Sequence, residues 1–411
     1  VMVDQWLQAQ SFLGVVVDWS STRALLGLSL VVIAGALIGE GVFRFLGLPR
    51  IVGYSLVGLG VAVSGHGVAA TGEIPPVVRM ILDLALALLL FELGARVRLR
   101  WLRTNPFLLV TSLAESLLTF GTVYLAMRYL GLDTPSAAAV AVLAVPASPA
   151  VIARVASEFG AEGQVTERVY MLSALNTLYG VFASKLLLAW LDLDQGQNPV
   201  QAIVQPLYVF VGSFLLAGLL GYGVARVARG LDLRNENATL LLLGLITLAL
   251  ALTKTFGWST LLVPLMAGLW LRNTTERPWV WPRHFGTAGG VLVLMLFVIV
   301  GSAWPVEGLA AGGLLALAAM AARAAAKSAA VFMLGWFSGQ SLRQGVGVSL
   351  ALTPLSATAL VMYADLQGSH AGFAAQLAPV ALSSIAIMEL LGALAVLGAL
   401  RSAGEIAARR P

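Results

Sequence analysis

Ala144-Val145-Pro146-Ala147-Ser148-Pro149-Ala150 stands at the centre of an apolar run from Pro135 to Ser157. Such a run matches a helix crossing a hydrocarbon core of roughly 30 Å at about 1.5 Å per residue. Pro146 and Pro149 interrupt that helix in the middle, because proline removes a backbone donor and frees carbonyls that lipid cannot hydrate. A second run, Gly345 to Ala364, carries Ala351-Leu352-Thr353-Pro354-Leu355-Ser356-Ala357 at its own middle. Prolines flanked by Ser148, Thr353 and Ser356 predict two broken helices that meet at the bilayer midplane, where secondary transporters build their ion sites.

The rest of the chain has the same character. Fifty-nine per cent of the residues are hydrophobic and 11% are charged, against roughly 45–50% and about 25% in soluble domains. The apolar residues come in blocks without the alternation of a β-barrel, so the fold class is an all-α polytopic membrane protein. There is no cysteine, which excludes disulfides and thiolate metal sites. His66, His284 and His370 lie apart near predicted span ends, and neither a metal nor a cofactor is expected. The net charge of +5 sits in short loops and orients the chain in the bilayer; it is not a nucleic-acid signal.

Thirteen spans are predicted: Ala24–Phe45, Pro49–Gly65, Val78–Ala95, Pro106–Leu130, Pro135–Ser157, Val169–Leu191, Val204–Val227, Ala238–Thr253, Trp258–Leu271, Phe285–Ala303, Gly308–Gly335, Gly345–Ala364 and Gly372–Ala399. Before them, Trp6, Leu7, Phe12, Leu13 and Val16 recur at the spacing of an interfacial helix. No cleavage pattern follows the first run, so it is expected to stay as a span. With the N-terminus outside, Arg96, Arg98, Arg100, Arg103, Arg272, Arg343 and Arg401 all fall in inner loops. Asp133, Asp192 and Asp365 fall outside. That asymmetry predicts N-out, C-in in a plasma membrane, the bacterial inner membrane being the expected location.

Short matches recur seven spans apart. Leu90-Phe91-Glu92-Leu93-Gly94 is answered by Leu296-Phe297-Val298-Ile299-Val300-Gly301, and Ala174-Leu175-Asn176-Thr177 by Ala381-Leu382-Ser383-Ser384. An odd offset reverses orientation, which predicts two inverted repeats at residues 24–191 and 238–399. Residues 204–227 are then a connector helix, 1–23 an N-terminal segment and 400–411 a short cytoplasmic tail.

Charges inside spans point to function by default, because they are costly in lipid. Lys327 is the leading one, set among Ala324, Ala325, Ala326 and Ala329, with Arg323 one turn earlier on the same face. The acidic candidates are Glu40, Asp83, Glu92, Glu115 and Glu389. Glu115 and Glu389 are the expected partners of Lys327. For Glu40 and Lys185 the plainer reading is a local pair or snorkelling near a span end.

At these residues the chain resembles the monovalent cation:proton antiporter superfamily, in its Kef- and Nap-type sodium/hydrogen exchanger branch. Leu48-Pro49-Arg50-Ile51-Val52-Gly53-Tyr54 is similar to an early family stretch, with Tyr54 where a Glu is usual. Ala147-Ser148-Pro149-Ala150-Val151-Ile152 resembles the family's Thr-Ser-Pro-Ala broken helix. Phe256-Gly257-Trp258-Ser259 followed by Pro264-Leu265-Met266-Ala267-Gly268 resembles a later segment, and Lys327 falls at a buried basic position. The resemblance implies crossing broken helices, a homodimer, and a monovalent cation and proton as cargo.

One departure bears on mechanism. Where the family carries Asp-Asp or Asn-Asp in the sixth span, this chain has Asn176-Thr177. Neither side chain titrates near neutral pH, so proton–cation competition cannot run there. Three readings follow: an antiporter whose carboxylate has moved to Glu115, Glu389 or Glu92; a carrier of another, anionic solute; or a non-transporting structural or regulatory subunit, with a further membrane or cytoplasmic chain as its partner. No nucleophile–base set suggests an enzyme. The transport-site candidates are Asn176, Thr177, Lys327, Ser148, Pro149, Thr353, Pro354, Ser356, Glu115 and Glu389.

Overall fold

The computed structural model describes residues 19–67, 75–194, 196, 198–230, 236–274, 285–305, 309–355 and 357–406. Helices dominate these residues and no strand occurs among them. They are α1 (Trp19–Gly41), α2 (Arg50–Val61), α3 (Pro76–Arg96), α4 (Leu99–Thr104), α5 (Pro106–Tyr129), α6 (Thr134–Ala144), α7 (Pro149–Glu158) and α8 (Gln164–Asp194). Then follow α9 (Pro199–Gly230), α10 (Glu236–Phe256), α11 (Leu262–Thr274), α12 (Phe285–Ser302), α13 (Leu309–Gly335), α14 (Leu342–Ala351), α15 (Ala357–Ser369) and α16 (Ala371–Ala403). Among the described residues, eight helical stretches are long and apolar enough to cross a membrane, Thr134–Glu158 counting both α6 and α7. The suggested helix around Trp6 to Val16 lies outside the described residues, and so does Ser356.

Local chemistry starts and stops these helices. Pro76, Pro106 and Pro149 occupy first turns, where a missing N–H costs nothing. Asp133 caps α6 by accepting from the Ser136 amide at 3.3 Å. Ser341 and Gln344 form a capping box on α14, satisfying two orphan donors reciprocally.

The helices pack in two groups. In one, α5 lies along α13, and α16 along α13, α14 and α7, with α6 and α8 beside them. In the other, α3 crosses α11, α2 crosses α12, and α9 and α10 close the bundle. Small residues set the crossings. A Cβ on Gly94 would meet the Leu265 carbonyl at 2.2 Å, and one on Gly268 would meet the Phe91 carbonyl at 2.2 Å. Gly58 and Gly301 bring α2 and α12 together in the same way. Without a hydrophobic drive inside lipid, such close backbone approach is a main source of helix association.

Both proline-marked runs are broken. The α6–α7 break spans Val145–Ser148, the α14–α15 break follows Leu352, and the Ser148 amide donates to the Pro354 carbonyl at 2.9 Å. The breaks therefore touch. Arg323 of α13 answers the carbonyls they free. Its Nε donates to the Ala144 carbonyl at 2.7 Å, Nη2 to Pro146 at 2.9 Å and to Pro354 at 3.2 Å, and Nη1 to Thr353. Lys327 adds a bond to the Val145 carbonyl at 3.0 Å. Arg323 thus stands at the C-terminal ends of both half-helices, with Lys327 beside it at the end of α6, where partial negative charge gathers. Glycines seat the neighbours: a Cβ on Gly180 of α8 would meet Pro146 at 2.9 Å, and one on Gly392 of α16 would meet Pro354 at 2.8 Å.

Two outcomes are expected from thermal unfolding in detergent. Gly94→Ala or Gly268→Ala forces the α3–α11 backbones apart and costs about 1–3 kcal/mol, while Gly223→Ala, with open space at its Cβ, is neutral. Arg323→Leu strands the carbonyls of both breaks, at roughly 1–3 kcal/mol for each buried acceptor left unpaired, and is the least stable variant. Arg323→Lys falls between it and the parent, because a single ammonium cannot span both breaks.

Candidate functional site

The site begins with the sequence of α5. Thr111, Ser112, Glu115, Ser116 and Thr119 recur at helical spacing and are buried, while Leu109, Leu113 and Leu117 on the other side are exposed. A helix with its polar stripe inward and its leucines outward suits a lipid surround. The stripe faces α13, whose Ala319, Ala326 and Ala330 are buried and let the two helices lie close.

Glu115 and Lys327 meet on this face. The Lys327 ammonium donates to Glu115 Oε1, and neither side chain has solvent exposure. Ser116 Oγ stands 3.5 Å from Glu115 Oε2 and 3.1 Å from Asn176 Oδ1. Ser112 Oγ reaches the same Asn176 oxygen at 3.3 Å. Asn176 is thus linked to the ion pair through the Ser116 hydroxyl, and its Nδ2 has no partner among the described residues. Thr177 Oγ1 donates to its own helix, to the Ser173 carbonyl at 2.8 Å.

The remaining candidates are placed differently. Glu389 is buried on α16 and accepts from Ser55 Oγ of α2 at 3.3 Å; Lys327 is held by Glu115 instead. Glu92 binds Arg96 at 2.6 Å, and Glu40 binds Arg44 at 2.6 Å and Arg50 at 2.8 Å. Ser148 Oγ caps α7 through the Val151 amide at 3.4 Å, and Thr353 Oγ1 donates to the Leu350 carbonyl at 2.7 Å. Local hydrogen bonds compete successfully here because hydroxyls beside a helix end find backbone partners within one turn. Pro149 and Pro354 sit at the two breaks.

Two residues were missed. Ser116 joins Asn176 to the ion pair and Ser112 bonds the same Asn176 oxygen, and the inward polar stripe of α5 was the signal that could have named them. A cavity of about 400 Å³ borders another face of α8, lined by Met171, Ala174, Leu175 and Leu178 with Leu265, Leu269 and Trp270. It is almost wholly apolar and opens toward the end of the bundle that holds Val97 and Asn273. Among the described residues no cluster of three His, Asp or Glu could hold a metal ion.

Chemically the site offers one carboxylate, one ammonium and a set of neutral oxygens in a dry interior. A carboxylate can hold a cation, and an ammonium can release a proton. That combination suits exchange of small cations better than bond-making chemistry.

The family model described as sodium/hydrogen exchanger, transmembrane, matches residues 29–399. Among curated proteins none matches the chain. Among solved structures, the fold is similar to the sodium proton antiporter MjNhaP1 from Methanocaldococcus jannaschii. One structure, at pH 8, gives a TM-score of 0.66 at 16% identity, over 92% of this chain and 98% of that one. An electron-microscopy map of the same antiporter gives 0.71 at 16% identity, over 94% and 99%. At that identity the likeness establishes the fold, and the family match covers almost the whole chain. This integral membrane protein therefore belongs to the sodium/hydrogen exchanger family.

Proposed function

We propose that the chain exchanges a monovalent cation for a proton across the membrane, with the Glu115–Lys327 pair as the coupling centre in place of aspartates on α8. The observation that carries this reading is that pair, fully buried beside Asn176. Leaving two charges in a dry core is costly unless they compensate each other. An entering cation replaces the ammonium at the Glu115 carboxylate, and Lys327 then releases its proton. One positive charge enters as one leaves, so the exchange is electroneutral. Asn176, Ser112 and Ser116 supply neutral oxygens to a partly dehydrated ion, while the negative charge that offsets its desolvation comes from Glu115.

The surplus of buried cations also suggests an anion carrier. Arg323 weighs against it, because its donors are all directed at carbonyls of the two breaks. Its charge answers half-helix ends and leaves little to attract a substrate.

Two inverted repeats, residues 24–191 and 238–399 about the 204–227 connector, fit this reading. Support comes from paired contacts: Gly94 with Gly268 is answered by Gly301 with Gly58, and Gly180 on Pro146 by Gly392 on Pro354. Matching Gly180 to Gly392 moves the register suggested by Asn176-Thr177 and Ser383-Ser384 by more than a turn, and sets Thr177 opposite Glu389. We also place the arginine-rich end in the cytoplasm of a bacterial inner-membrane protein and expect a homodimer in the bilayer.

The test is exchange in proteoliposomes with an internal pH dye under Na⁺, K⁺ and Cl⁻ gradients. Glu115→Gln and Lys327→Met are expected to lower cation-driven proton movement at least tenfold, with Thr177→Ala close to the parent. Robust exchange abolished by Thr177→Ala and untouched by Glu115→Gln sinks the proposal. A response to Cl⁻ alone favours the anion carrier, and silence under every gradient favours a non-transporting subunit. If Asn176→Asp with Thr177→Asp rescues Glu115→Gln, the scaffold still moves and only the location of the carboxylate has changed.

A further inference from the structure

Far from the ion pair, at the opposite end of the bundle from Arg98, Arg100 and Arg343, five charged side chains form a continuous ladder. Lys254, in the last turn of α10, bonds Asp83 of α3 at 2.9 Å. Arg79, one turn earlier on α3, bonds Asp83 at 3.1 Å and Asp365 of α15 at 2.7 Å. Asp365 also takes the Lys185 ammonium of α8 at 3.1 Å. The ladder runs α10–α3–α15–α8 and so joins the two packing groups: α3 and α10 belong to one, α8 and α15 to the other.

Asp365 is the joint between them. It alone in this chain of contacts holds a cation from each group. It extends from the second half of a broken helix to the helix that carries Asn176. A cavity of about 420 Å³ adjoins the ladder, lined also by Leu188, Ala189, Gln205 and Trp258. Along α8 it lies beyond Asn176, at Lys185 to Ala189, whereas the 400 Å³ cavity runs past Met171, Ala174, Leu175 and Leu178. The seam between the two groups thus holds a cavity toward each end, and this ladder of ion pairs crosses it at one of them.

We propose that Asp365 is a positioning residue of the transport cycle: bridging Arg79 and Lys185, it latches the acidic end shut in the state open toward the arginine-rich end. This rests on the exchange reading above. The latch is built to open. The side chains of Asp365 and Lys185 are 31% and 18% exposed, so water in the adjoining cavity can hydrate the charges as they part. Partly wet pairs hold weakly and are screened by salt, unlike the dry Glu115–Lys327 pair. Arg50 of α2 binds Glu158 of α7 at 2.9 Å, another tie between the groups that can serve as the pivot.

The absence of native cysteine makes the test direct and separate from exchange. Leu188→Cys reports on the cavity beside the ladder and Leu175→Cys on the other, each labelled in liposomes by a membrane-impermeant maleimide applied from its own side. Asp365→Asn is expected to speed labelling at position 188 at least threefold and to slow it at 175. Asp365→Glu, which keeps the negative charge between Arg79 and Lys185, retains the parent ratio. On the chain with no ladder substitution, salt near about 1 M shifts both rates in the same directions, which covers the case in which Asp365→Asn does not fold. Unchanged rates in salt and in Asp365→Asn overturn the latch, and so do rates that rise together at both positions, since that reports loosening. A latch that opens in a protein without exchange leaves this proposal standing and removes only the antiport reading.

Discussion

A guanidinium holds the centre of this protein together. Breaking two helices inside a bilayer exposes carbonyls to an environment with no water to bond them, and every one left unpaired is costly. Arg323 meets four such carbonyls from two breaks with one planar, permanently charged fork. Arginine fits this task because its donors diverge in a fixed plane and its charge cannot be titrated away. The crossing, the seating of α8 and α16 against it, and the position of Lys327 one turn further along α13 all presuppose that clamp.

Permanence at Arg323 frees Lys327 for a different role. The two residues share a helix face, yet their partners differ in kind. Arg323 faces backbone dipoles, which never change charge. Lys327 faces Glu115, a side-chain carboxylate. The helix therefore carries, within a single turn, one cation set on main-chain carbonyls and one set on a carboxylate, and neutral Asn176 beside them adds oxygen without adding charge.

Much of this was legible in the sequence, and the limits have physical causes. The breaks were readable because a proline in mid-span removes a rung from the helix ladder where lipid offers no replacement. Lys327 was readable because an ammonium among alanines demands a partner, and Glu115 was one of two carboxylates named for it. The role of Arg323 was hidden, since its acceptors are main-chain carbonyls far away in sequence and carry no side-chain signature. Ser112 and Ser116 were passed over because a serine in a membrane helix is commonplace until the whole stripe from Thr111 to Thr119 is laid on one face. Arg79, Lys185, Lys254 and Asp365 each look like ordinary span-end charges, and Asp83 was one of five acidic candidates with no partner named for it. Only the fold reveals that they share one corner.

The glycines opposite the breaks carry a consequence for motion. Gly180 on Pro146 and Gly392 on Pro354 leave no room for even a methyl group, so α8 and α16 are keyed into the breaks like teeth. Neither helix can slide past the crossing without pulling a proline ring out of its notch. The internal degrees of freedom of that bundle are therefore few, and any large motion it made would be that of a rigid body. A switch of access from one side of the membrane to the other would then fall at the seam between the two packing groups.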